Sequence, residues 1–153
     1  MKEFVERARE GDPEAYDRIF ALVADRVLMF IRMRLGAALR SKVDSVDVLQ
    51  EAYLEAHRGF GKFDYQGDDA FARWLCRISE NRIRGLADHF GAQKRQAPSV
   101  VRILNSGTGP QTRAERKESR EKVEAAMDRL AEDEREVLLL RFFQDRSLEE
   151  IAE

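Results

Sequence analysis

The 153-residue sequence has one cysteine, two histidines and no long apolar run, and each of these shortages excludes a class of protein. A single cysteine, Cys76, cannot form an internal disulfide, and with only His57 and His89 beside it a zinc site has no typical ligand set. No apolar run approaches the roughly 18 residues that cross a bilayer, and residues 1–7 lack the apolar stretch of a secretory signal. We therefore expect a cytoplasmic protein with no metal and no membrane insertion.

The sequence also lacks the motifs of an enzyme. It contains no glycine-rich phosphate loop and no nucleophile–base pair, and the adjacent Asp68 and Asp69 fall in a loop without a positioned partner. The one carboxylate cluster of a predicted helix is Asp44, Asp47 and Glu51, whereas an all-helical hydrolase with a carboxylate–metal core needs carboxylates on facing helices. We expect no catalytic residues and no cofactor, with such a hydrolase as the enzyme alternative.

Charge is balanced overall, at a net −2, but unevenly distributed. Lys plus Arg against Asp plus Glu is 15 against 16 in residues 1–91, 7 against 2 in residues 92–120, and 5 against 11 in residues 121–153. The three segments thus carry about −1, +5 and −6. This pattern excludes a nucleic-acid binder that is basic over its whole surface and favours local basic contacts, with other surfaces facing a protein.

Helical periodicity dominates the first ninety residues, and no strand-like alternation of any length occurs, so the predicted fold is all-α. Four or five helices are predicted in this stretch. Three of them have definite bounds, one from the N-cap Asp12 until Gly36, one over 44–58 and one over 70–90, with a glycine-containing loop at 59–69. The predicted buried stripes are formed by Tyr16, Ile19, Phe20, Val23, Val27, Phe30, Ile31, Leu35, Val48, Leu49, Ala52, Tyr53, Ala56, Phe71, Trp74, Leu75, Ile78 and Ile83.

A change of composition after residue 91 indicates a linker. Glycine, proline, serine and asparagine cluster there with little apolar periodicity. We therefore predict two small helical domains, residues 1–91 and 120–153, joined by a flexible linker over 92–119. Lys94, Arg95 and Arg102 make this linker basic.

The final segment has the pattern of half a helix-turn-helix. One amphipathic helix is followed by the start of another, where Ser147 is the predicted N-cap and Glu150 completes a capping box. A helix-turn-helix continues with a turn and a helix that enters the major groove. We expect residues 120–153 to form part of such a domain without its recognition helix. A helical hairpin that frays at its end is the alternative.

Two neighbouring motifs resemble region 2 of bacterial sigma factors. The first is Asp-Val-Leu-Gln-Glu-Ala-Tyr over residues 47–53, and the second is Phe-Ala-Arg-Trp-Leu-Cys-Arg-Ile over residues 71–78, followed by Asn81 and Arg82. Residues 130–153 resemble the start of region 4 of the same proteins. The chain is similar to the extracytoplasmic-function (ECF) subfamily, the minimal two-domain class of sigma factor.

The resemblance implies a surface for core RNA polymerase. In the family, the helix face that here carries Asp47, Gln50, Glu51 and Leu54 docks on the clamp helices of the β′ subunit. Their i, i+3, i+4, i+7 spacing puts them on one helix face, and carboxylates beside an amide suit a basic partner. A solvated face is the alternative. The segment like region 4 is expected to pack on the first domain, on a second copy of the chain, or on the β flap of polymerase through Val137, Leu138 and Phe142.

The resemblance also implies a site for promoter DNA at the −10 element. In the family, the loop captures a flipped base and the following helix reads its neighbours, which fits the stacking and charged groups that hold unstacked bases. The stretch between Phe63 and Phe71 is about two residues longer than is usual, which leaves open the loop aromatic that contacts a base. The expected DNA-binding residues are Lys62, Phe63, Tyr65, Asn81, Arg82 and Arg84.

These expectations describe an ECF-type sigma factor that binds core RNA polymerase and directs promoter recognition and opening. An anti-sigma factor is a further partner that the resemblance implies. In the family the linker passes near the polymerase active-site cleft, so its cations are expected to contact nucleic acid or to be solvated. The alternative function is a sigma-like interaction module, or decoy, that binds polymerase or an anti-sigma factor without activating transcription.

Overall fold

The computed structural model describes residues 1–92 and 110–152, and within them every regular element is helical, which confirms the all-α prediction. Across these helices, none combines the length and apolar character that crossing a bilayer requires. The elements are α1 (Lys2–Arg9), α2 (Pro13–Arg40), α3 (Ser45–Gly59), a 3₁₀ turn (Phe60–Lys62), α4 (Ala70–Ala92), α5 (Pro110–Met127), α6 (Glu132–Phe143) and α7 (Leu148–Ala152).

Helix α2 begins at its predicted cap and continues past its predicted end. The Asp12 carboxylate accepts hydrogen bonds from the backbone N–H groups of Glu14 and Ala15, at 3.0 and 3.2 Å. Gly36 has φ 68° and ψ 171°, which interrupts the helical geometry, and the helix resumes until Arg40. The glycine therefore breaks α2 instead of ending it.

Helices α3 and α4 lie within two residues of their predicted bounds. The predicted cap Asp44 accepts a 2.8 Å hydrogen bond from the N–H of Val46 at the start of α3. The sequence reading did not locate α1, which is short and contributes Val5 to the core. One turn of apolar residues gives too weak a period to identify so short a helix.

The core of the first domain forms between α2, α3 and α4, and all but two of its predicted residues are buried. Tyr53 and Trp74 are half-buried and pack against it. The Tyr16 hydroxyl donates to the backbone carbonyl of Tyr53 at 3.0 Å, and the Tyr53 hydroxyl donates to the Asp17 carboxylate at 2.6 Å. Because Asp17 is exposed, this second bond holds the Tyr53 ring at the edge of the core.

Helix α5 corrects the predicted linker, because its first ten residues, 110–119, lie inside the predicted range 92–119. Proline at the first position suits a helix start, and oppositely charged pairs one turn apart support the polar helix that follows. The predicted linker residues Lys94, Arg95 and Arg102 lie outside the described residues.

The second helical domain packs on the first. Met127 of α5 and Leu139 of α6 are buried in the same apolar core as α2–α4, and Phe143 lies beside Phe30 with ring centroids 5.6 Å apart. At the start of α7, the Ser147 N–H donates to Glu150 at 2.8 Å and the Glu150 N–H donates to the Ser147 hydroxyl at 3.2 Å. The predicted capping box is therefore present.

Candidate functional site

The outer face of α3 carries the four residues predicted to bind polymerase. Asp47 and Gln50 are half-buried, whereas Glu51 and Leu54 are exposed. The opposite face of this helix is apolar except for Ser45 and is buried against α2 and α4. The amphipathic pattern therefore directs the acidic residues outward, and Leu54, which is 51% exposed, adds an apolar contact surface.

Asp47 lies in an unfavourable environment for a carboxylate. Partial burial raises its pKa, and the neighbouring carboxylates of Asp44 and Glu51 raise it further. A cluster of like charges at the surface gains energy when a cationic surface approaches it. The electrostatics of this face thus favour a basic partner.

The acidic face of α3 adjoins the helix predicted to contact DNA. The Arg82 guanidinium on α4 pairs with the Glu51 carboxylate, its Nε donating at 2.9 Å. Arg84 pairs with Glu80 at 3.3 Å, and the same carboxylate accepts a 2.9 Å hydrogen bond from Arg34. Two of the predicted DNA-binding cations are therefore already paired with carboxylates.

A further cation on α4 was missed by the sequence reading. Arg77 lies one turn before Asn81, and both side chains are exposed. In the part of the chain that the structure describes, no carboxylate lies within ion-pairing distance of Arg77. The i, i+4 spacing between Arg77 and Asn81, which puts both on one helix face, is the sequence signal that could have identified Arg77. An amide and an unpaired guanidinium on one helix face suit a base edge and a phosphate.

Phe63, which is predicted to contact DNA, is buried in the structure. It is only 5% exposed and stacks on Phe60 and on Trp74, with ring centroids 5.6 and 5.1 Å apart. Arg9 of α1 also donates to the Phe63 carbonyl at 2.6 Å, which fixes the loop over the core. Stacking of Phe63 on Phe60 and on the half-buried Trp74 covers its ring, so Phe63 offers no free ring face to a base.

The remaining loop residues are accessible. Lys62 is exposed, and Tyr65 is half-buried with its hydroxyl bonded to the Asp68 carboxylate. Tyr65 lines a small cavity with Val5 and Arg9 of α1. The structure therefore leaves Tyr65, and not Phe63, as the loop aromatic with an accessible ring.

The three residues expected to contact the flap differ in exposure. Val137 and Phe142 are exposed, the latter at 68%, while Leu138 is half-buried against the core. The neighbouring Leu139 is fully inside. In residues 1–92 and 110–152, no three His, Cys, Asp or Glu side chains are grouped to hold a metal ion, and burial raises the pKa of Cys76 to about 12.

Two family models match the chain in the order in which its helices occur. The model described as Sigma-70 region 2 matches residues 23–95, and the model described as Sigma-70, region 4 matches residues 126–153. The first match contains α3, α4 and the loop between them, and the second contains α6 and α7. The fold and both matches define a helical protein built of these two regions.

Curated relatives match over almost the whole chain. The ECF RNA polymerase sigma factor BldN of Streptomyces coelicolor is 32% identical over 99% of this chain, which spans 56% of that relative. The RNA polymerase sigma-H factor of Pseudomonas aeruginosa is 31% identical and 80% covered, and the ECF RNA polymerase sigma-E factor of Escherichia coli is 29% identical and 78% covered. No solved structure matches. The chain belongs to the ECF group of the sigma-70 family of RNA polymerase sigma factors.

Proposed function

We propose that this chain binds core RNA polymerase and directs it to promoters, where it assists opening of the −10 element. The observation that carries the proposal is the adjacency of two surfaces. The acidic outer face of α3 meets the exposed Asn81–Arg77 face of α4 at the Glu51–Arg82 pair. One surface suits a basic protein and the other suits nucleic acid, so a single domain can join the two.

The polymerase contact uses Asp47, Gln50, Glu51 and Leu54 against the β′ clamp helices. The raised pKa of Asp47 supports this assignment, because a cationic partner stabilises the ionised form that the free chain disfavours. Contact with the β flap uses Val137 and Phe142, which are exposed, and requires Leu138 to leave the core.

The DNA contact uses Asn81 and Arg77 to read and position the displaced strand. Arg82, Arg84 and Lys62 supply further positive charge, and Tyr65 supplies the accessible aromatic ring. Phe63 acts from inside, since its stack with Phe60 and Trp74 fixes the loop that carries Tyr65. The chain acts by binding, while the polymerase performs the chemistry.

A charge-reversal experiment tests the polymerase surface. Asp47→Arg with Glu51→Arg should abolish binding to core RNA polymerase, because each reversal at an interface costs several kcal/mol. The fold should lose much less, because the Glu51–Arg82 pair is exposed and such pairs contribute about 0–1 kcal/mol. Pull-down with core polymerase and thermal melting measure the two effects. The matched control is Glu3→Arg with Glu10→Arg, which changes the net charge equally at two exposed positions of α1 and its end.

Run-off transcription on a template containing a −10 element completes the test. Polymerase binding with promoter-dependent transcription supports the proposal. Binding without transcription would favour the decoy function, and failure of the unaltered chain to bind core polymerase would reject both.

A further inference from the structure

Three exposed residues share one side of α4, where the candidate DNA surface lies. Arg77, Asn81 and Arg84 follow the spacing i, i+4, i+7, which places them along the same face of the helix. Arg82 lies off this face, and its Nε and Nη2 atoms both donate to the Glu51 carboxylate. Arg84 is therefore the second cation of the face that carries Asn81.

A buried carboxylate lies beside Arg84. Glu80 is only 6% exposed, and its Oε1 atom accepts a 2.9 Å hydrogen bond from Nε of Arg34 on α2. The same oxygen lies 3.3 Å from Nε of Arg84. Arg34 is also 3.8 Å from Glu136 on α6, so it is held from two sides. Glu80 is thus fixed by Arg34 and stands within reach of Arg84.

This contact uses one edge of the Arg84 guanidinium. Its Nε atom is the one that faces Glu80, and within the described residues neither Nη atom of Arg84 donates a hydrogen bond. The two Nη atoms form the fork that can bind a phosphate through two parallel hydrogen bonds. The Arg84 side chain is 64% exposed. Glu80 therefore orients Arg84 and leaves open the groups that a phosphate needs.

We propose that Glu80 is a positioning residue for DNA binding, which holds the Arg84 guanidinium on the Asn81 face so that it binds a phosphate of the displaced strand. An ordered side chain loses less conformational entropy on binding, so this arrangement raises affinity. Arg34 offsets the charge of Glu80, so the carboxylate repels the phosphate only weakly. The strand-binding part rests on the proposed function, whereas the orientation of Arg84 by Glu80 does not.

NMR of the isotope-labelled chain measures the orientation without DNA. The Nε–H signal of Arg84, assigned through its loss in Arg84→Gln, should exchange slowly with solvent. Glu80→Met removes the carboxylate and keeps an unbranched side chain of similar length, and it should make this signal exchange as fast as that of Arg77. Glu115→Gln, which removes an equal charge at an exposed position of α5, should leave the Arg84 signal unchanged.

Anisotropy with a fluorescein-labelled single strand of twenty thymidines measures the consequence for binding. Glu80→Met should bind about threefold to tenfold more weakly than Glu115→Gln, which has the same net charge, because Arg84 must then be ordered on binding. The salt dependence of these two variants should be equal, since both retain every cation. Arg84→Gln should instead lower the slope of log affinity against log salt by about 0.7, the value for one phosphate contact.

A double-mutant cycle distinguishes positioning from a role in folding. If Glu80 acts through Arg84, Arg84→Gln with Glu80→Met should bind as tightly as Arg84→Gln with Glu115→Gln. Circular dichroism establishes that each variant is folded. If Glu80→Met does not fold, Arg34→Leu with Glu80→Met removes both partners of the pair and is compared with the unaltered chain, whose net charge it shares.

Three results would overturn the positioning role. The first is unchanged exchange of the Arg84 signal in Glu80→Met, and the second is a strand affinity equal to or higher than that of Glu115→Gln. The third is an equal loss of affinity with and without Arg84. Failure of the unaltered chain to bind the strand, alone and with core polymerase, would overturn the strand-binding part. The pull-down and run-off assays report on the proposed function separately, so a failure of either can be distinguished.

Discussion

At the scale of single residues, two aspartates at the starts of helices have opposite effects on the fold. Asp12 is held in its ionised form: hydrogen bonds from Arg7 and from the N–H groups of the first turn of α2 keep its pKa below the usual range. The environment of Asp47 disfavours its ionised form, because burial and neighbouring carboxylates raise its pKa. Ionised Asp12 thus stabilises the fold, whereas ionisation of Asp47 lowers its stability.

Replacing each aspartate by asparagine should therefore shift stability in opposite directions at pH 7. Asp12 has a depressed folded-state pKa, so its stabilisation is present above the unfolded pKa and is lost as pH falls through the folded value. Asp47 has a raised folded-state pKa, so its ionisation lowers stability as pH rises towards and through that value. Thermal melting should show a lower Tm for Asp12→Asn and an equal or higher Tm for Asp47→Asn. A lower Tm for Asp47→Asn would indicate a structural role.

Substitutions at Asn81 and at Arg77 should separate the effect of base reading on DNA binding from the effect of positive charge. Asn81→Ala should reduce promoter opening and relax preference at one base by about 1–3 kcal/mol, because an amide presents both a donor and an acceptor. Arg77→Ala should weaken binding about equally across promoter sequences and reduce its salt dependence. Permanganate footprinting on a set of single-base promoter variants measures both, with binding to core polymerase expected to stay unchanged. Equal transcription from every template by Asn81→Ala would contradict the base-reading role.

The sequence predicted the helix faces of the candidate site but not its ring packing. Spacing along α3 places Asp47, Gln50 and Glu51 together, because helical periodicity is a local property. Burial of Phe63 depends on Phe60 and Trp74, which meet only after the loop folds back on α4. The Glu51–Arg82 pair likewise joins two helices whose relative orientation no local pattern encodes.

At the scale of elements, the break in α2 at Gly36 restricts which residue can occupy that position. Its φ of 68° with ψ of 171° is a conformation that only glycine adopts readily, while an added Cβ would lie at ordinary contact distance from Arg135. The backbone, and not crowding, therefore requires glycine here.

Gly36→Ala should lower the free energy of unfolding by about 1–3 kcal/mol. The matched control is Gly85→Ala in the interior of α4, where an added Cβ meets no neighbouring atom. That change should raise stability by about 0.4–1 kcal/mol, because alanine restricts the unfolded chain and suits a helix. Urea denaturation measures both, and equal effects of the two substitutions would contradict the backbone argument.

Helix α5 marks the limit of prediction from sequence at this scale. Glycine and proline before residue 111 indicate a linker, yet the helix begins at Pro110 and continues with charged residues until Met127. Its stability depends on intrahelical charge pairs and on contacts with α2, and apolar periodicity is a poor guide to a helix of that kind. Because α2 and α5 lie far apart in the sequence, no local pattern predicts the Arg32–Glu124 ion pair.

At the scale of the whole molecule, one core joins the two domains. Leu139 of α6 is 2% exposed and belongs to the same apolar cluster as α2, α3 and α4. Trp74, the single tryptophan, lies on α4 and stacks on Phe63 of the first domain. A change in α6 that moves the Trp74 signal thus measures energetic coupling between the domains.

Leu139→Ala should lower the unfolding free energy reported by Trp74 fluorescence, by up to about 2–5 kcal/mol, the usual cost of truncating a buried leucine. Leu148→Ala, at an exposed position of α7, should stay within about 0.5 kcal/mol. Urea titration followed at Trp74 measures both variants. An unchanged Trp74 transition in Leu139→Ala would show that the first domain folds without help from the second.

The hydrogen bonds that Tyr16 donates to the Tyr53 carbonyl and that Tyr53 donates to Asp17 have a consequence for partner choice. They join α2 to α3 through Tyr53, while the Glu51–Arg82 pair on the outer face joins α3 to α4. Exchange of Asp47 or Leu54 leaves these contacts in place, so we expect it to preserve the fold. Under the proposed polymerase contact, point substitutions at these two positions would alter partner choice while leaving the contacts that hold α3 unchanged.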